Sequence, residues 1–293
     1  MKNATSLKAM ARNQQEGLDR WQQNASQWQH LGPPLRPSPQ DIEFCEGAVQ
    51  EWIHHYGAPR VLVLGVTPEI YRLLWPEGTS LLAIDKSQAM IDFVWPGPKE
   101  AAQCVDWLSL QLPDNSRDIV ICDGGLPLIA YPHKQQQLVR ILQAILSDQG
   151  LCILRLFVPP QHQESPDAVL NDLLEGRISN LNILKLRLGM SLMENVAEGV
   201  ELRKIWHLIH EVAPDLEGLA AKIGWSVEHI MVINAFRGSA DRFYFVTVNQ
   251  VTELFCLNPG GFEVHGLRVP SSYELSEQCP TIVLRRCMSP RQL

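Results

Sequence analysis

Apolar residues between about positions 40 and 160 follow two alternating patterns. Short continuous runs recur at Val61-Leu62-Val63-Leu64, Leu81-Leu82-Ala83-Ile84, Ala102-Gln103-Cys104-Val105, Asp118-Ile119-Val120-Ile121-Cys122 and 151–157. Between them lie stretches that read as helices, at 68–75, 87–94 and 133–147. A strand that is apolar on both sides must be covered on both faces. Continuous runs separated by helices therefore predict a mostly parallel sheet between two helical layers. Ahead of the first strand, Ile42, Cys45, Val49, Trp52 and Ile53 form one stripe of a helix that Ser38 or Asp41 opens and Gly57-Ala58-Pro59 ends.

The flanks follow other patterns. Residues 1–31 are polar, and Trp21 and Trp28 stand two turns apart on one helical face. Gly32-Pro33-Pro34-Leu35-Arg36-Pro37-Ser38-Pro39 is a stiff extended connector. Residues 1–40 thus read as an N-terminal helical cap and linker. Residues 163–222 break the alternation and read as a helical insertion. Residues 228–235 and 242–248 read as two strands joined too closely for a crossover helix, hence as an antiparallel pair closing the sheet. The expected fold class is α/β: a Rossmann-like domain over 41–250, then a small C-terminal β-rich extension over 251–293.

Composition narrows the function. A formal charge of −7 argues against a broad nucleic-acid-binding face, with Arg177, Lys185 and Arg187 the local basic strip to consider. No window approaches ~18 uninterrupted apolar residues, and residues 1–15 lack an apolar core of signal-peptide length, so a soluble cytoplasmic protein without membrane contact is expected. None of the seven cysteines forms a C-x-x-C pair, so no metal is expected. Their odd number and scattered spacing suit a reducing compartment. His207 and His210 stand three apart without an obvious third ligand.

The informative feature is a ladder at the strand ends. Gly65, Asp85, Asp106 and Asp123 follow one another at steps of 20, 21 and 17 residues, about one β-α unit each. Ligands of open α/β sheets sit beyond the carboxyl ends of the strands, where the strand order reverses. Singly, each residue has an ordinary use: Gly65 in a tight turn, Asp85 capping the next helix, Asp106 as a loop acid, Asp123-Gly124-Gly125 as a turn. Together they would line one crevice.

On V-L-V-L-G-V-T at 61–67, A-I-D-K-S at 83–87 followed by Met90, V-D-W at 105–107, D-I-V-I-C-D-G at 118–124 and G-L-C-I-L-R-L at 150–156, the chain resembles the class I S-adenosylmethionine-dependent methyltransferases over about residues 40–250. The resemblance implies that the cofactor is S-adenosylmethionine and that its methyl group passes to a nucleophile, with a small-molecule acceptor expected. It implies that the loop of Gly65, Val66 and Thr67 passes the methionine end, and that Asp85 binds the ribose, with Lys86 and Met90 also at the cofactor. It further implies that Asp106 meets the adenine amino group beside Trp107, and that Asp123 or Gly124 turns toward the acceptor. The chemistry agrees: a carboxylate can accept both vicinal hydroxyls, and an indole can pack on a purine.

The chain departs from the family in the glycine loop, where Val63, Thr67 and Glu69 replace an acid and two glycines. That departure leaves a non-catalytic adenosyl-ligand-binding module or regulatory subunit as the alternative. Thr67-Pro68-Glu69 instead reads as a helix opening with Thr as N-cap, and the loop lacks the G-x-G-x-x-G of a dinucleotide site. Trp21, Trp28 and the segment Pro34-Leu35-Arg36-Pro37 offer a lid over the cofactor, with an N-terminal helix packed on the domain as the plainer use of the two Trp; Trp28, Arg36 and Tyr131 are the substrate-side candidates. His133 is the candidate general base, and it also fits a helix start. Self-association as a homodimer stays open.

Overall fold

The computed structural model describes residues 21, 22, 25, 26 and 28–287. Strand β1 (Arg60–Leu64) shows why the apolar runs are continuous. Val61 and Val63 enter an apolar layer with Cys45, Val49 and Trp52 of helix α1 (Pro39–Tyr56). Leu62 and Leu64 enter the opposite layer with Leu138, Val139 and Leu142. Ser38 caps α1 in a reciprocal box with Asp41, so both sequence candidates take part in opening the helix.

The main sheet adds β2 (Ser80–Asp85), β3 (Ala102–Cys104), β4 (Arg117–Asp123) and β5 (Leu146–Arg155). Its order is β3-β2-β1-β4-β5, with neighbours parallel. Helices α2 (Pro68–Tyr71), α3 (Gln88–Phe93) and α4 (His133–Ile145) connect the strands. The chain goes outward from β1 through β2 and β3, then returns to β4 on the other side. The strand order therefore reverses between β1 and β4, which opens a crevice at their carboxyl ends.

The insertion is helical, as expected: α5 (Pro166–Leu174), α6 (Leu181–Ser191), α7 (Leu202–Val212) and α8 (Leu216–Ile223). They share a core that includes Val169, Leu173, Leu184, Leu188, Ile205, Ile209 and Leu219.

The antiparallel closure is present, but other residues make it. Residues 228–235, expected as a strand, are helical: α9 (Val227–Met231) is capped by Ser226 and runs into the 3₁₀ segment Val232–Phe236. Ile230, Ile233 and Phe236 recur every third residue, and all three enter the insertion core. Their β-branched neighbours mask that period in the sequence. Of the second expected strand only Arg242–Phe243 is extended. It pairs with Val200–Glu201 in a separate two-stranded sheet, β6 (200–201) with β7 (242–243). The main sheet is completed by β8 (Phe262–Arg268) and β9 (Thr281–Arg286), in the order β5-β9-β8. Only β9 opposes the other six strands.

Part of the expected N-terminal cap lies outside the described residues. Trp21, Gln22, Ala25 and Ser26 are helical, and Trp28–His30 form a 3₁₀ turn. The connector after it is a strap fastened to both sides of the molecule. Arg155 donates to the Pro34 carbonyl at 2.7 Å, and Asn182 of α6 donates to the Gly32 carbonyl at 3.1 Å. No helix among the described residues is long and apolar enough to cross a membrane. The basic strip does not form: Arg187 pairs with Glu164 and Asp172, Arg177 pairs with Asp172, and Lys185 is buried.

Candidate functional site

A cavity of about 260 Å³ lies at the carboxyl edge of the sheet, roofed by the strap and the insertion. Gly65, Val66, Thr67, Asp85, Lys86, Met90, Asp106, Trp107, Asp123 and Gly124 all line it. Their convergence follows from the parallel register, which brings the ends of β1, β2 and β4 to one level while β3 delivers 106 and 107 just beyond.

Gly65 holds the first turn with φ +104°, and its N–H donates to the Ile84 carbonyl at 2.8 Å. The Trp107 indole donates Nε1–H to the same carbonyl at 2.8 Å. One edge of the ring faces Gly65, where a Cβ would stand 3.9 Å from Cζ2. The other edge lies against Gly125, where a Cβ would come within 2.5 Å of Cη2. The indole therefore stretches along the strand ends as a floor, and at Gly125 it fits only because that residue lacks a side chain. Gly124, at φ +64°, clears space for Phe157 in the same way, with a Cβ–Cζ approach of 2.9 Å.

Asp85 is buried, and its Oδ1 accepts the Ser87 N–H at 2.8 Å. The second oxygen has no protein hydrogen-bond partner among the described residues. Burial pushes this carboxyl up to about 6, against the opposing pull of the Ser87 N–H and of Lys86. Asp106 is exposed, and its Oδ1 accepts the Leu108 N–H at 2.8 Å. Ser87, not Asp85, caps α3, whereas Asp106, expected as a loop acid, caps the 3₁₀ turn Trp107–Ser109; both acids also line the cavity.

Other expected residues take different positions. Asp123 reaches the cavity, but its side chain is committed to a buried ion pair with Arg155. Thr67 precedes α2 at the N-cap position, yet its hydroxyl makes no capping bond and lies buried at the cavity wall. Trp28 lines the cavity. Arg36 does not: its guanidinium grips Glu69, with Nε donating at 2.8 Å, and packs 5.2 Å over the Trp28 ring. Tyr131 packs into the apolar layer around α4, and Ala130 lines the cavity instead. His133 is exposed at the start of α4, away from the cavity lining. His210 stacks on Trp206 at 3.8 Å, and no group of three metal-ligating side chains occurs among the described residues.

Sequence reasoning missed Leu31, Leu128, Phe157, Lys185, Phe236 and Phe243 as lining residues. Most sit among apolar runs, where nothing distinguishes a cavity wall from a core. Lys185 alone carried a signal, as the one charge in the apolar stretch 181–186.

No family model matches the chain, and no curated protein matches it in sequence. Solved structures do resemble it. One from Rhodobacter sphaeroides, described as a zinc-dependent alcohol dehydrogenase, aligns at 13% identity over 92% of this chain and 98% of that one, with a TM-score of 0.58. The CcbJ methyltransferase from Streptomyces caelestis aligns at 13% identity over 90% and 96%, with a TM-score of 0.51. A SAM-dependent methyltransferase from Methanosarcina mazei aligns at 15% identity over 81% and 97%, with a TM-score of 0.49. The likeness is one of fold: the chain shares a Rossmann-like α/β architecture with these structures.

Proposed function

We propose that this chain binds S-adenosylmethionine at the carboxyl edge of its sheet and transfers the methyl group to a small acceptor lodged under the insertion. The observation that carries the reading is the meeting of Gly65, Asp85 and Asp106 on one cavity at the point where the strand order reverses. Asp85 fits a ribose: its carboxylate is sheltered, one oxygen is fixed by Ser87, and the other is left to accept a hydroxyl. Asp106 stands at the exposed end, where an exocyclic amine would meet it. The open face of Gly65 and the Thr67 hydroxyl suit the amino-acid end.

The bound cofactor would supply an activated methyl group on sulfur. The chain's own task is then alignment and exclusion of water, and the strap with Trp28, Leu31 and Leu35 covers the cavity for that purpose. A nicotinamide dinucleotide fits less well. Its pyrophosphate needs close backbone approach at a glycine-rich turn, and here Val66, Thr67 and Pro68 follow Gly65 with buried side chains.

Calorimetry with S-adenosylmethionine and S-adenosylhomocysteine tests the pocket. Asp85→Ala should weaken either ligand by about 1.5–3 kcal/mol, the range for hydrogen bonds to a charged group. A folded variant that binds as well as the parent defeats the assignment. Transfer of label from methyl-tritiated cofactor into low-molecular-weight extract then separates an enzyme from a module that binds without turnover.

A further inference from the structure

Strands β4, β5 and β9 carry a row of polar side chains on the face that packs against α1. Arg155 is in register with Asp123 on one side and with Thr281 on the other, two residues from the apolar row Ile121, Ile153 and Val283. The first turn of α1 brings Asp41 to the same place. These residues, with Pro37 of the strap, surround a second cavity of about 10 Å³, about the least that admits one water. It shares only Asp123 with the larger cavity.

Three groups on its wall are buried and lack a hydrogen-bond partner among the described residues: Nη2 of Arg155, Oδ1 of Asp41 and Oγ1 of Thr281. The residues are only 4%, 4% and 3% exposed. Their other polar atoms are engaged. Arg155 donates from Nε to Asp123 and from Nη1 to the Pro34 carbonyl. Asp41 Oδ2 accepts the Ser38 N–H at 2.8 Å, the Ser38 hydroxyl at 2.7 Å and the Tyr273 hydroxyl at 3.3 Å. Buried polar groups as a rule have partners, because leaving one unmade forfeits its hydration without return.

The chemistry of the three groups selects the occupant. A guanidinium nitrogen only donates and a carboxylate oxygen only accepts, while a hydroxyl does either. A cation cannot accept from Nη2 and would be pressed against the guanidinium. An anion cannot donate to Oδ1 and would be pressed against the carboxylates of Asp41 and Asp123. Water both accepts and donates, and it is small enough for the space.

We propose that one water occupies this cavity as a fixed part of the molecule, accepting from Arg155 Nη2 and donating to Asp41 Oδ1, with the Thr281 hydroxyl as its third partner. The guanidinium then has all three nitrogens occupied. It joins the end of β4, the Pro34 carbonyl of the strap and, through the water, the start of α1 and the start of β9. The water is thus a clasp that holds Arg155 in the position from which it grips the strap.

The test begins with crystals of the full chain, grown in sodium and in rubidium salts and diffracting well enough to show ordered solvent. A single peak should lie within about 3.2 Å of the three atoms, with no anomalous signal from rubidium. The proposal falls if the cavity holds no density, if rubidium enters it, or if Arg155 and Asp41 meet directly and close it. Amide hydrogen exchange then reads the clasp in solution at Arg36, whose N–H is bonded to the Gly32 carbonyl within the strap. Thr281→Val should raise the exchange rate several-fold, and Thr281→Ser, which keeps the hydroxyl, should leave it near that of the parent. A folded valine variant that exchanges at the parent's rate, or a serine variant that exchanges as fast as the valine one, overturns the clasp. Should the valine variant fail to fold, the crystals of the parent still decide whether the water is there.

Discussion

Asp85 is pulled in opposite directions by pH. In the free protein its carboxyl is raised to about 6 by burial, so the folded state holds this proton more tightly than the unfolded chain does. Stability from this group is fully present below the ordinary carboxylate range and is lost as pH rises through about 6, some 3 kcal/mol over the whole window. The proposed ribose contact needs the ionised form, so on that reading affinity for S-adenosylhomocysteine should fall roughly tenfold per unit below pH 6. Urea midpoints and binding isotherms between pH 4.5 and 7.5 check both trends, and Asp85→Asn should flatten both. The Asp123–Arg155 pair makes the opposite kind of residue-scale prediction. Asp123→Ala strands a buried guanidinium and should cost about 3–5 kcal/mol in urea unfolding, whereas replacing both partners with apolar residues should cost much less. The strand-end acids could be read from the sequence because β-α spacing is nearly constant. The need for glycine at 125 could not, because its reason is the rim of an indole eighteen positions earlier.

At the scale of elements, the strap is the part that sequence could name as a lid without finding what holds it down. Its prolines announce an extended connector; its fastenings come from Glu69, Arg155 and Asn182, each far away along the chain. Asn182→Ala removes one fastening, worth about 1 kcal/mol, and should speed S-adenosylhomocysteine release several-fold in stopped-flow measurements while leaving the melting curve nearly unchanged. The segment 228–236 teaches a different lesson. Ile, Met and Val in close succession look like a strand, but Ser226 opens a helix and a three-residue apolar period carries it on. Where β propensity and period disagreed, burial against the insertion core decided the outcome.

For the molecule as a whole, the parallel half of the sheet was legible and its antiparallel end was not. Thr281-Ile282-Val283-Leu284 is the same kind of run as Val61-Leu62-Val63-Leu64, and all four are buried. Its position after a long tail of turns concealed that it lies between β5 and β8. A chain ending at residue 250 would therefore expose the inner edge of β5 and lose part of both apolar layers. It should collect in the insoluble fraction, whereas recovery of a folded, monodisperse fragment would show that β8 and β9 are dispensable. The strap has a consequence at this scale too. A guest that draws the sheet and the insertion together shortens the span the strap must cover, whichever guest arrives first. Two guests that both did so would each prepare the molecule for the other, and by reciprocity the gain would be the same in both orders.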